Sequence, residues 1–221
     1  LGFYGVNPKV SMPFNFEGLH AKFNAESMST IVNEFQGMIN PDVHTPVYCF
    51  SNHDQSRIVT RFGGEKQARL IALMQLTLPG LPVIYYGDEI GMNNVPIRFE
   101  EIQDKSVFSH GNDESVGRDP ERTPMQWTAG QNAGFSTAKP WLPVNPACQN
   151  VNVESEQNEP DSFLALYRRL LTLRSRYEIL RTGEYEPLSD TDNDIFAYAR
   201  WIGREQHVFV ALNFGDTKHR V

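Results

Sequence analysis

Cysteine is scarce in this 221-residue chain: Cys49 and Cys148 are the two present. One falls in an apolar run and the other in a loop, without metal-ligand spacing, so neither a disulfide framework nor a Cys-based metal site is expected. A reduced, cytoplasmic protein is the default expectation. Basic charge is short too, with 20 Lys and Arg against 27 Asp and Glu and a net charge of −7. No Lys/Arg cluster offsets that balance, which argues against a nucleic-acid partner and suits neutral or small polar substrates. No apolar run approaches a membrane span, so no membrane partner is expected. Internal repeats are missing, and the opening Leu1-Gly2-Phe3 carries no initiator Met and reads like the middle of a protein. The expectation is a fragment, with the 40% hydrophobic and 21% charged residues of an ordinary globular chain.

What the sequence does have is an apolar run, Val47-Tyr48-Cys49-Phe50, that ends abruptly in Ser51-Asn52-His53-Asp54-Gln55-Ser56-Arg57. The run is too short for an independent helix and rich in β-formers, with Pro46 before it, so it reads as a buried parallel strand. In parallel α/β folds substrates bind beyond the carboxyl ends of strands, which puts Asn52, His53 and Asp54 where chemistry is done. The bland alternative is that Asn-His-Asp caps the following helix, an ordinary role for Asn and Asp.

Around this stretch, Val10 to Glu17 alternates with Met12, Phe14 and Phe16 on one face and suits a strand, despite Pro13. From Ser27, which is available as a cap, Met28, Ile31, Phe35 and Met38 recur at threes and fours and predict an amphipathic helix ending near Gly37 to Pro41. Glu65 to Leu78 is apolar over most of its helical surface and predicts a packed helix. Pro79-Gly80-Leu81-Pro82 stops it, and Val83-Ile84-Tyr85-Tyr86 predicts another buried strand ending in Gly87-Asp88-Glu89-Ile90-Gly91. Strands and helices in alternation are a parallel α/β pattern. Residues 92–160 are dense in Gly, Pro, Asn and Asp and far longer than an ordinary connection, which predicts a functional loop. Its aromatics, Trp127 and Trp141 among them, are expected to pack it. A helix resumes from Asp161 with Phe163, Tyr167, Leu170, Leu171 and Arg174 at helical spacing and closes near Gly183. Ile195 to Trp201 and His207 to Phe214 flank Gly203-Arg204-Glu205, a hairpin signal. The change from α/β to antiparallel β puts a domain boundary near Glu184.

Taken together these motifs resemble the α-amylase family of glycoside hydrolases (glycoside hydrolase family 13), most closely its α-glucosidase and oligo-1,6-glucosidase branch. Phe50 through Arg57 is similar to the family's fourth signature. Gly80 through Gly91 resembles its last barrel strand, and Arg118 through Trp127 resembles the loop typical of the α-glucosidase branch. The implied fold is α/β: the C-terminal portion of a TIM (β/α)8 barrel, about strands six to eight, over residues 1–183 with the long loop 92–160, then the start of an antiparallel β-sandwich domain in 184–221. The implied chemistry is a retaining mechanism with a carboxylate nucleophile, a general acid and an oxocarbenium-like transition state. By resemblance Asp54 is the third catalytic carboxylate, His53 donates to the same sugar hydroxyls, Arg118 is the loop arginine of the innermost subsite, and Arg57 contacts a neighbouring sugar. Asn52 is counted with them as substrate-binding. Arg122 and Asp119 read better as a loop-stapling ion-pair network, Tyr85 and Tyr86 as barrel core, and Glu89 as a loop-orienting carboxylate.

In the family, the nucleophile and the acid lie at the ends of the fourth and fifth strands, upstream of what this chain covers. The expectation is therefore a part of an enzyme that cleaves α-linked gluco-oligosaccharides, inert alone. Its partner would be the missing N-terminal half of the barrel, or further copies of itself covering open sheet edges. No cofactor and no metal are expected. Other readings are a family transglycosidase or isomerase acting on sucrose or trehalose, a non-catalytic amylase-like scaffold, or a carbohydrate-binding module. The intact Asn52-His53-Asp54 argues against the scaffold, and the module would need an exposed aromatic platform.

Overall fold

The computed structural model describes residues 12, 14–40, 44–188 and 194–219. Its elements run β1 (Phe14–Asn15), α1 (Ala25–Met38), β2 (Val47–Cys49), α2 (Ile58–Arg61), α3 (Glu65–Thr77), β3 (Leu81–Val83), α4 (Lys105–Ser109), α5 (Val153–Glu156), α6 (Phe163–Arg176), α7 (Glu178–Thr182), β4 (Glu184–Pro187), β5 (Ile195–Ile202) and β6 (Gln206–Asn213). They divide into two compact units, residues 1–50, 69–83 and 169–221 in the first and residues 51–68 and 84–168 in the second. No helix among the described residues is long and apolar enough to cross a membrane.

The first unit is organised around β2, whose residues are all buried. It pairs in parallel with β1, Phe14 opposite Val47, and with β3, Val47 opposite Leu81 and Cys49 opposite Val83. A strand flanked on both sides by parallel neighbours is apolar throughout, which is why its sequence is continuous rather than alternating. The Gln75 amide reinforces the sheet by donating to Tyr48 O at 3.2 Å and Val83 O at 2.6 Å. Helix α1 starts earlier than its apolar spacing suggests: Asn24, not Ser27, is the cap, accepting Ser27 N at 2.7 Å. Its buried stripe is Ala25, Met28 and Val32, while Met38 is exposed. Residues 10, 11 and 13 of the expected Val10 to Glu17 strand lie outside the described residues. Met12, Phe14 and Phe16, the expected inner face, are exposed, and Asn15 is buried instead.

Strand β3 begins two residues before the expected Val83 start and is half-buried rather than buried. Pro82 is tolerated because, among the described residues, β3 is an edge strand and needs no outward donor. Gly80 before it holds φ +84, and a Cβ there would meet the Pro46 carbonyl. Two buried arginines gather the carbonyls that the helix ends leave over. Arg174 donates to Leu76 O, Leu78 O and Leu180 O at 3.0, 2.9 and 2.8 Å and also to Gly80 O. Arg200 donates to Thr77 O at 2.7 Å, Leu180 O at 3.1 Å and Gly183 O at 2.6 Å. Burial lowers the Arg200 side chain from its ordinary value to about 10, still charged at neutral pH. The antiparallel sheet β4-β5-β6 contains the expected hairpin, turning at Gly203 with φ +60. β4 has no clear signature in the sequence, because Glu184, Glu186 and Pro187 are exposed on an edge strand.

The second unit holds residues Ser51 to Ala68 and the whole of the long loop. That loop is built from short 3-10 turns together with α4 and α5. Ile90, Met92 and Met125 form a buried cluster with Val153 and Leu164 against it. Gly91, at φ +66, closes the turn after Asp88–Ile90, and a Cβ there would lie 2.6 Å from the Phe163 ring. The amides at the start of α5 are taken by the loop, Val153 N by Gln126 O and Glu154 N by Trp127 O, both at 3.0 Å. The expectation that Trp127 and Trp141 pack inside the loop does not hold: their relative exposures are 47% and 55%.

Candidate active site

Beyond β2 the chain tightens into a turn in which Asn52 Oδ1 accepts Asp54 N at 2.8 Å and Asn52 bridges Gln55. The side chain of Asn52 therefore shapes the turn that aims its neighbours outward. It caps no helix, since α2 begins after Arg57 and has no side-chain cap. His53 and Asp54 project to solvent with side-chain exposures of 64% and 41%.

Asp54 is held from two sides. Its Oδ1 accepts Arg118 Nη1 at 2.9 Å and Arg122 Nη2 at 3.1 Å, while His53 Nε2 lies 3.3 Å from its Oδ2. Arg122 Nε also donates to His53 O at 2.8 Å. Arg118 in turn rests on Asp104, with Nε 2.7 Å from Oδ2 and Nη2 3.2 Å from Oδ1. Those hydrogen bonds hold the Asp104 carboxyl well below the usual carboxylate range, and Asp104 first, then Asp54, raises Arg118 further. A solvent-facing carboxylate fixed by two fork-shaped cations, with an imidazole beside its other oxygen, is suited to gripping neighbouring hydroxyls of a neutral polyol. Among the described residues no group of three His, Cys, Asp or Glu side chains is placed to hold a metal ion.

Residues 4–183 match the α-amylase catalytic domain. The chain belongs to the α-amylase family. It is 40% identical over 177 residues to a probable oligo-1,6-glucosidase of Bacillus subtilis (strain 168), a match covering 70% of this chain and 32% of the relative. An α-glucosidase of Apis mellifera is 34% identical over 215 residues, covering 95% of this chain and 37% of its own length. Among solved structures, a trehalulose synthase variant in complex with Tris superposes with a TM-score of 0.81 at 27% identity, over 92% of this chain and 42% of that one. Trehalose-6-phosphate hydrolase of Bacillus licheniformis gives 0.76 at 30% identity, over 92% and 42%. The chain thus spans about a third of the curated relatives it matches, and a TIM-barrel enzyme family supplies its fold.

In this α-amylase-family chain the structure brings His53, Asp54 and Arg118 together and separates Arg57 from them. Arg57 is fully buried, which removes the expected sugar contact. Its Nη1 donates to Tyr86 O at 2.6 Å, its backbone N donates to Asn94 Oδ1 at 2.9 Å, and its guanidinium lies 4.7 Å from the Tyr86 ring centroid. Tyr85 and Tyr86 are half-buried to exposed loop anchors rather than core, donating to Glu121 O at 3.3 Å and Thr123 O at 2.7 Å. Arg122 is also corrected: it reaches Asp54 instead of only stapling the loop. Asp119 staples the loop through backbone amides where an ion pair was expected, its Oδ2 accepting Gln103 N at 2.6 Å and Asp104 N at 2.9 Å. Glu89 Oε2 accepts Gly87 N at 2.7 Å, an orienting contact within its own turn.

Asp104 escaped the sequence reading because it sits in an undistinguished polar stretch. The one available signal was local, an Asp two residues before Ser106 at the start of a short helix. Two further carboxyls are tuned by burial. Asp88, which accepts Ser51 Oγ and Tyr85 N, is pushed up to about 7. Glu121, which accepts Asn94 Nδ2 at 3.2 Å, is likewise pushed up to about 7.

Proposed function

We propose that this chain is the part of a retaining α-glucosidase, acting on α-linked gluco-oligosaccharides, that supplies the third catalytic carboxylate, Asp54. The observation that carries the reading is the uneven attachment of that carboxylate: two arginines converge on Oδ1, and Oδ2 lies on the side of His53. A carboxylate already oriented by fixed charges needs no rearrangement when the reaction begins. As positive charge grows at the anomeric carbon, the adjacent hydroxyls become stronger donors. Asp54 Oδ2, which accepts from them, therefore binds the transition state more tightly than the ground state, while His53 orients the same hydroxyls. In this reading the nucleophile and general acid of the retaining pair come from outside the 221 residues, which are inert alone.

β1, β2 and β3 correspond in this reading to barrel strands six, seven and eight, residues 1–183 to the barrel portion, and 184–221 to the beginning of a β-sandwich. The family match ending at 183 and the onset of antiparallel pairing at Glu184 support that division. Among the described residues β1 and β3 pair only towards β2. The rest of a barrel, or a second copy, would cover their outer edges.

The test is glucose release from maltose, isomaltose, trehalose and sucrose by the full-length protein and by these 221 residues alone. Release by the full-length protein only is the expected result, and release by the isolated chain overturns the division of labour. A transfer reaction is the second reading, favoured by the likeness to trehalulose and isomaltulose synthases. Its mark is an isomerised disaccharide formed from sucrose in place of free hexoses.

A further inference from the structure

We infer that Asp104 is a positioning residue for this site, fixing Arg118 so that a single guanidinium nitrogen, Nη1, reaches Asp54. The inference rests on the α-glucosidase reading. Its basis is the way the two carboxylates divide one guanidinium. Asp104, with a side chain only 4% exposed, takes the Nε and Nη2 edge of Arg118 and also accepts Arg118 N at 3.1 Å. The carboxylate is itself immobilised: Ser106 N donates to its Oδ1 at 3.0 Å, and its own backbone N is held by Asp119 Oδ2 at 2.9 Å. With its Nε and Nη2 edge held by Asp104, Arg118 turns its Nη1 end to Asp54 and makes one hydrogen bond there, to Oδ1 at 2.9 Å. Freed from Asp104, the guanidinium fork would close on both Asp54 oxygens, the geometry Arg and carboxylate prefer. It would then compete with the sugar hydroxyls for Oδ2. Asp104 thus keeps Oδ2 available without touching substrate.

The experiment is a double-mutant cycle in the full-length protein, measuring kcat and KM on maltose and isomaltose for Asp104→Asn, Arg118→Lys and the pair, with Asp54→Asn as a control. Asn at 104 preserves the cap acceptor for Ser106 N, so the melting transition is retained, while the paired negative fork is lost. Lys at 118 keeps the charge but has no fork. The expected result is a fall in kcat of about 10²-fold for each single variant, the scale of a misplaced catalytic contact, with a smaller change in KM. The double variant should be no worse than Arg118→Lys alone. Losses that multiply mean that Asp104 acts on the fold independently of Arg118, and overturn the inference. If Asp104→Asn does not fold, Arg118→Lys decides alone, and an unchanged kcat overturns it. Undiminished Asp104→Asn beside an inactive Asp54→Asn defeats this inference only. An undiminished Asp54→Asn defeats the reading beneath it.

Discussion

Arg118 Nη1 lies 2.9 Å from Asp54 Oδ1 although the two residues are 64 positions apart in the chain. The contact joins the turn after β2 to the interior of a long loop. It makes the loop part of the site, since Arg122, four residues further on, reaches the same oxygen at 3.1 Å.

Arg122 is predicted to orient His53 as well as Asp54. Its Nε bonds His53 O at 2.8 Å while Nη2 bonds Asp54, and an ammonium cannot make both contacts in that geometry. Arg122→Lys should lower kcat/KM on isomaltose or maltose roughly tenfold, about 1.4 kcal/mol. Steady-state kinetics on the full-length protein checks this, and an unchanged kcat/KM would remove Arg122 from the site.

Stability should fall with pH on the acid side of neutrality. Burial pushes Asp88 and Glu121 each up to about 7, against about 4 for an unfolded carboxyl. Between those values the folded chain keeps protons that the unfolded chain has released. Their contribution is therefore complete below pH about 4, declines as pH rises and is lost above pH about 7. Asp88→Asn removes one of the two titrations, so the melting temperature of the variant should drop less between pH about 5 and about 7.5 than that of the parent. Parallel melting curves for the two proteins across that range would contradict the assignment for Asp88.

Arg174→Met should destabilise severely. The guanidinium is buried and serves the carbonyls of Leu76, Leu78, Gly80 and Leu180. Removing it strands those acceptors at a cost of about 3–5 kcal/mol, readable by denaturant titration. The exposed Arg98–Glu101 pair at 3.0 Å offers the contrast, because water screens it and Arg98→Ala should leave the midpoint unmoved.

Gly91→Ala should cost about 1–3 kcal/mol from backbone strain and overpacking together. Its φ is +66, and the added Cβ would sit 2.6 Å from the Phe163 ring, which α6 holds in place. A melting temperature equal to the parent's would show that the turn relaxes without loss.

Much of this was legible in the sequence, for physical reasons that also explain the rest. Val47-Tyr48-Cys49 reads as a buried strand because both its faces are covered, and Phe163, Tyr167, Leu170 and Arg174 read as one helical stripe because burial follows the helical period. Asp54, His53 and Arg118 stand out through motif resemblance. Periodicity could not reveal that Asp104 supports Arg118, because the contact depends on how a non-repeating loop closes on itself. Arg57 misleads for the converse reason: a charged residue in a polar run looks exposed, yet stacking against Tyr85 and Tyr86 and a carbonyl contact bury it completely. β4 is hidden because an exposed edge strand carrying two glutamates and a proline has no apolar pattern to betray it.

The most direct test of the account is the turnover of Asp54→Asn in the full-length protein. Asparagine keeps the size of the side chain but not the charge that the two arginines hold. Because that side chain is 41% exposed, folding should be unaffected. kcat should fall by at least about 10²-fold, with a much smaller change in KM, since the lost interaction is one that strengthens in the transition state. A variant that folds normally and turns over at the parent's rate would contradict it.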